Sequence, residues 1–204
     1  MEIQFRRAVK RDADVAAELL AATMGGYGIA TFGLEDEMRE VNALKTWFLA
    51  SGNRFSYELT WLALAEGEVA GLLLNIRGDQ LAALERGLVK DILKIYSLGQ
   101  VIRLWRLMVI GRGKEAKADE YLLAHLAVAP QFMRRGVGKA LLEKAAEEAK
   151  NNGFSRLVLE VEIGNTPAEK LYEGAGFTCI HTTFFNQHAR ALHCAGFHKM
   201  IKIV

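Results

Sequence analysis

The chain has 204 residues, 51% of them apolar and 25% charged, enough for one ordinary core and too apolar for a disordered chain. Its formal net charge is only +2, which excludes a protein that coats nucleic acid through a strong overall positive field, so no nucleic-acid partner is expected. The two cysteines, Cys179 and Cys194, form neither a disulfide framework nor a CxxC pair, and residues 1–11 carry no apolar signal segment, so a cytoplasmic setting is expected.

In chain order, residues 3–8 predict a short strand, and Asp12 or Asp14 caps a helix that runs through Met24 with Val15, Leu19 and Leu20 on its apolar face. The glycines of Gly25-Gly26-Tyr27-Gly28 are expected to end that helix, and a second amphipathic helix follows over 35–49. Residues 61–65 and 69–76 are apolar runs separated by Glu66-Gly67-Glu68, a hairpin signal. Next come a strand within 119–128, a helix over 137–151 stopped by Gly153, and a strand over 157–163. Thr166-Pro167-Ala168-Glu169 reads as a capping box that opens a helix to about Gly174. Two closing strands are expected around 179–185 and 198–204. The pattern is that of a single α/β (α+β) domain over 1–204.

One segment carries a chemical signature. Arg134-Arg135-Gly136-Val137-Gly138-Lys139 stands where a loop enters the 137–151 helix, so backbone N–H groups, the positive dipole end and three cations converge on one point. Gly136 and Gly138 allow a phosphate to approach the backbone closely. Alone, this signature also fits a plain structural turn.

On both sides of that loop the chain resembles the GNAT superfamily of N-acetyltransferases. The resemblance runs over 121–177: the strand Leu126-Ala127-Val128, the Pro130 turn, RRGVGKALL, and the segment LEVEIGNTPAEKLYEGAGF. The last segment is most similar to the bacterial enzymes that acetylate the amino-terminal alanine of a ribosomal protein. The resemblance implies a mixed, mostly antiparallel sheet flanked by helices, and transfer of an acetyl group from acetyl-CoA to a primary amine. It assigns the pantetheine arm to the backbone of Leu126, Ala127 and Val128 and to the Asn165 side chain, and the pyrophosphate to residues 134–139. Tyr172 takes the position of the tyrosine beside the thioester sulfur. Met133 departs from the family's usual leading Gln or Arg, which shifts cofactor capture toward backbone N–H groups.

An amine arrives mostly as an ammonium ion, so a base must deprotonate it before it attacks the thioester. Glu160 matches the glutamate assigned as base in the ribosomal-protein enzymes. Strand alternation puts Glu162 on the same face, where repulsion between two carboxylates raises one pKa. Glu120, at the start of the preceding strand, is an alternative base, and Leu122 occupies a position where other members carry one. His125, flanked by Leu123 and Ala127 on its face, reads as a core histidine. Two ordinary glutamates on a solvated strand face remain an open reading of Glu160 and Glu162.

Residues 78–118 exceed the usual connection at this point of the family and read as an insertion. Leu81, Leu84, Leu88, Ile92 and Ile95 recur at helical spacing and 98–110 is largely apolar, so two helices are expected, too short and charged to be transmembrane. They complete the core or a homodimer contact, cover the acceptor groove, or lie on a membrane surface through Arg103, Arg106, Arg112, Lys114 and Lys117 beside Trp105. His181, His188, His193 and His198 share the tail with both cysteines, but their irregular spacing fits no standard zinc site and no metal is expected. Two other readings stay open: a coenzyme A binding or interaction module without turnover, and a transferase of a different acyl group.

Overall fold

The computed structural model describes residues 1–109, 115–185 and 193–204, with side chains of the helix ending at 109 described up to 104. In chain order the elements are β1 (Gln4–Arg7), α1 (Ala13–Gly28), α2 (Glu37–Leu49), β2 (Thr60–Ala65), β3 (Glu68–Arg77), α3 (Leu81–Ile95) and α4 (Leu98–Val109). There follow β4 (Tyr121–Val128), α5 (Val137–Asn151), β5 (Arg156–Glu162), α6 (Thr166–Gly174), β6 (Thr178–Phe184) and β7 (Gly196–Ile203). The strands form one sheet in the order β1-β2-β3-β4-β5-β7-β6. All neighbours are antiparallel except β4 and β5, which are parallel and paired only at Tyr121↔Leu157 and Leu122↔Val158. Beyond those pairs, β4 keeps its ladder with β3 as far as Val128 while its other edge parts from β5.

Helices cover both faces. His125 reaches Thr23 of α1, whereas Val128 lies against Gly138 of α5. Three positions along a strand reverse the face, so α1 and α5 pack on opposite sides of the sheet. The α1 side is closed by an aromatic cluster in which Trp47 stacks on Phe55 and meets Phe32 edge-on, with Tyr96 at the end of α3 beside it. Tyr96 donates its hydroxyl to the Phe32 carbonyl. The insertion is two helices, as its periodicity predicts, and Leu81, Leu88, Ile92 and Leu104 are buried in the common core.

The amino-terminal reading needs correcting in two places. Asp12 precedes α1 but makes no side-chain cap bond. Its carboxylate instead takes two hydrogen bonds from Arg6, both 2.7 Å, and one from the Val9 N–H, and the Arg6 guanidinium holds its pKa below the usual carboxylate range. The glycines do not end α1. Gly25 kinks it at φ 51°, ψ −143°, a conformation only glycine adopts cheaply, and the chain re-enters a helix that widens into a π turn over Ile29–Gly33. The Thr166 capping box is displaced by one residue: Asn165 is the N-cap of α6, and its Oδ1 accepts from the Ala168 N–H. By length and composition 10–33 is the one described helical run apolar enough to span a bilayer, but more than half of its span is buried inside the protein.

Gly28 also explains a buried acid. A Cβ there would stand 1.9 Å from Oε1 of Glu40, so glycine is what lets α2 deliver this carboxyl against α1. Glu40 is 2% exposed, and burial, reinforced by Glu37, pushes its pKa up to about 7. A raised carboxyl pKa means the native state holds the proton more tightly than the unfolded chain. The contribution is therefore full below the ordinary carboxylate value, falls as pH rises, and is gone above about pH 7. Glu40→Gln, neutral at every pH, is expected to match the wild type at pH 4 to 5 and to exceed its stability at pH 8 by up to about 3 kcal/mol. Denaturant unfolding at the two pH values checks this, and an equal difference at both would assign Glu40 no titration in this range.

Candidate active site

Where β4 and β5 part, a cavity of about 260 Å³ opens between them. Its walls are β4 from Leu122 to Val128, the Glu160–Glu162 end of β5, the inner face of α1 from Ala22 to Tyr27, and Asn165, Ala168 and Tyr172 around α6. Glu160 and Glu162 are both half-buried and both line it, as strand alternation requires. Leu126, Ala127 and Val128 form the opposite wall. Their backbone groups on the edge facing β5 have no strand partner, so that edge is open to a ligand with amide groups of its own.

Tyr172 is 8% exposed and packs against Phe177 with ring centroids 5.9 Å apart. Burial raises its hydroxyl to about 12, so it is a hydrogen-bond donor and stays protonated across the working range. Asn165 spends its Oδ1 on capping α6, which leaves its amide nitrogen as the donor toward a ligand. Glu169 fixes the same turn by accepting from the Gly164 N–H at 3.3 Å.

The cavity lining stops at Met133, which is 55% exposed, and residues 134–139 carry the chain from there into α5. Gly136 is the N-cap at φ 88° with open space around the Cβ position, and no side chain caps the helix. The first internal bond of α5 runs from the Ala140 N–H to the Gly136 carbonyl, so the amides of the first turn face outward without helical partners. Gly138 serves close packing: a Cβ there would sit 3.1 Å from Leu171 of α6. The side chains are less committed to the loop than their charges suggest. Arg135 is ion-paired with Glu66 and lies over the Phe132 ring, and Lys139 is exposed near Glu143.

Glu120 does not join the site. It is 2% exposed, paired with Lys199 at 3.2 Å and accepting the Lys117 N–H at 2.8 Å, and it does not line the cavity. His125 lines the cavity, so the core reading of this residue is incomplete. Its Nδ1 is 2.7 Å from the Thr23 hydroxyl oxygen, whose single proton goes to the Leu20 carbonyl. Nδ1 is therefore the donor of that pair, and the ring orientation is fixed by α1.

The far wall was not visible in the sequence. Arg54 and Glu115, both under 8% exposed, form a two-pronged ion pair with bonds of 3.1 and 2.6 Å, and Glu85 of α3 lies 3.6 Å from the same guanidinium. Tyr27 meets Phe197 edge-on at 5.9 Å, joining α1 to β7 across the cavity. No local motif marks partners this far apart in sequence. Among the described residues no group of three or more His, Cys, Asp or Glu is placed to hold a metal, and the two cysteines are unbridged. His188 lies outside the described residues.

Over 59 residues the chain is 44% identical to the [ribosomal protein bS18]-alanine N-acetyltransferase of Escherichia coli K12, a match covering 29% of this chain and 40% of that protein. It is 37% identical over 68 residues to mouse N-acetyltransferase family 8 member 3, covering 33% of this chain and 30% of that protein. These matches span less than half of either relative. Among solved structures, an N-acetyltransferase from Staphylococcus aureus Mu50 superposes with a TM-score of 0.74 at 21% identity, over 98% of this chain and all of the other. The Escherichia coli ribosomal-protein-S18-alanine N-acetyltransferase gives 0.55 at 18% identity, over 100% of this chain and 94% of that one. The model of the acetyltransferase (GNAT) family matches residues 29–177, nearly three quarters of the sequence, and the chain belongs to that family.

Proposed function

We propose that this protein is an N-acetyltransferase that moves the acetyl group of acetyl-CoA directly to a primary amine, within one domain and in the cytoplasm. The observation that carries the reading is the parting of β4 from β5, which brings Glu160, Asn165 and Tyr172 to one cavity beside an uncapped helix amino terminus. A pantetheine arm carries two amides, and the open edge from Leu123 to Val128 offers complementary backbone groups at strand spacing. The pyrophosphate then reaches the first turn of α5, where free N–H groups and the dipole favour an anion. Since Met133 offers no charge and Arg135 is held by Glu66, capture rests chiefly on backbone donors.

Glu160 takes a proton from the ammonium form of the acceptor, and the nitrogen attacks the thioester carbonyl carbon. The oxyanion of the tetrahedral intermediate faces the backbone near Val128. Collapse breaks the carbon–sulfur bond and releases coenzyme A as a thiolate, and the nitrogen, positively charged since its attack, gives its surplus proton to solvent to leave the neutral amide. With Tyr172 at about 12 and a thiol near 8.5, complete proton transfer to sulfur is uphill by about 5 kcal/mol. Tyr172 therefore acts by donating a hydrogen bond, and the thiolate collects its proton from solvent after release.

Gly136→Glu places a carboxylate at the proposed pyrophosphate position and should weaken acetyl-CoA binding by tenfold or more in calorimetry, with circular dichroism unchanged. Unaltered affinity would remove the loop from the cofactor site. Glu160→Gln should lower kcat/KM at pH 7 on the order of a hundredfold, with a smaller deficit near pH 10, where the amine is already free. A deficit of the same size at every pH would take Glu160 out of the role of base.

A further inference from the structure

The insertion has a face that the fold does not use. On α3, Leu81, Leu88 and Ile92 point into the core. The solvent side carries Val89 and Leu93, one turn apart and 42% and 57% exposed. Beside that stripe run Arg86, Lys90 and Lys94, also one turn apart and all exposed. Like charges at this spacing cost a helix stability. Asp91 offsets Lys94, but neither Arg86 nor Lys90 has an ion-pair partner among the described residues. After a two-residue gap, α4 begins with Leu98 and carries Ile102 one turn on, 75% and 49% exposed.

The charge is unevenly shared along the chain. Residues 81–117 hold eight Lys or Arg (86, 90, 94, 103, 106, 112, 114, 117) against three acids (85, 91, 115), a balance of +5 in a chain whose total is +2. The rest of the sequence therefore sums to −3. A face that joins exposed aliphatic side chains to an unneutralised basic stripe matches an anionic bilayer surface: the aliphatic groups enter the acyl boundary and the long basic side chains reach the headgroups. A second copy of this chain fits less well, because a two-fold contact sets this positive segment against itself. Single-stranded nucleic acid fits less well too, because the exposed apolar groups described here are aliphatic and offer no stacking surface.

We propose that the α3–α4 insertion docks the protein on membranes rich in anionic lipid, a property independent of acyl transfer. The attachment lies next to the acceptor side of the cavity, since Glu85 of α3 touches Arg54, whose guanidinium lines that wall. Substrates presented at the bilayer surface would then enter beside the docking helix.

Sedimentation of the full-length protein with phosphatidylcholine vesicles, with and without phosphatidylglycerol as a third of the lipid, tests the proposal. Binding is expected only to the anionic vesicles and should weaken with added salt. Val89→Asp with Leu93→Asp, both solvent-facing, should lower the affinity by about tenfold or more, with circular dichroism and acetyl-CoA affinity unchanged. Arg86→Ser with Lys90→Ser should do the same and flatten the salt dependence. Failure to sediment with anionic vesicles, equal binding to neutral ones, or binding untouched by either pair would overturn it. So would a wild-type dimer that the aspartates make monomeric without any vesicle binding, or RNA binding of equal strength that survives the aspartates. None of these outcomes bears on acyl transfer, which the acetyl-CoA measurement follows separately.

Discussion

The site follows from a single constraint on the sheet: β4 and β5 run parallel and pair at only two residues before they diverge. A strand edge inside a folded protein must find partners for its N–H and C=O groups or face solvent. Here the edge from Leu123 to Val128 faces a cavity, while the other edge of the same strand remains bonded to β3 throughout. The strand is thus held rigidly from one side and left unfilled on the other. Everything that lines the gap is placed by that divergence. Glu160 and Glu162 come from the departing strand, Tyr172 from the helix that follows it, and the α5 amino terminus from the loop that leaves β4 at Val128.

The two halves of the site are made by different means. The proposed cofactor half depends on backbone: the open edge of β4, the first turn of α5 and the tight turn into α6, with Gly136 permitting the backbone conformation and Gly138 the helix contact. Side chains in that half mostly hold structure. Arg135 bonds Glu66, and Asn165 caps α6 as well as lining the cavity. The proposed acceptor half depends on side chains from segments far apart in sequence, such as Thr23 on His125 and Arg54 on Glu115.

That difference explains how much could be read from the sequence. The cofactor half is built from two contiguous stretches, 121–139 and 157–177, whose local signals are glycine placement, a helix start and strand alternation. Those signals are short-range and survive in the sequence as motifs, so the 137–151 helix is placed to the residue and Glu160 falls in the cavity. The acceptor half has no such signature. Nothing near Arg54 announces Glu115, 61 residues away, and nothing near Thr23 announces His125. Glycine misleads at α1: the φ of 51° at Gly25 does break the helix, but the chain re-enters helical geometry, and Gly28 and Gly33 pass close to Glu40. A glycine that serves close approach looks in sequence like a glycine that serves a turn.

The buried polar groups left without hydrogen-bond partners gather mostly on one side of the sheet. Glu40 Oε1, Trp47 Nε1 and Arg54 Nε belong to α2 and the loop after it. Both polar atoms of Asn75 are in the same state, but the bulge in β4 between Leu123 and His125 puts Asn75 and its register partner Leu123 on the opposite, α5 face with Arg77 and Tyr121. Three of these four residues therefore belong to the α1 and α2 side of the sheet, and Asn75 alone to the α5 side. Buried groups of this kind cost stability unless something compensates, and native folds tend to confine them to functional regions. The aromatic cluster of Phe32, Trp47, Phe55 and Tyr96 supplies large apolar burial in that same layer. The α1 and α2 layer thus combines a stiff aromatic anchor with polar groups not fully matched by the protein itself. With the proposed cofactor half of this chain resting on backbone, changes in this layer would reshape the proposed acceptor side without disturbing the cofactor.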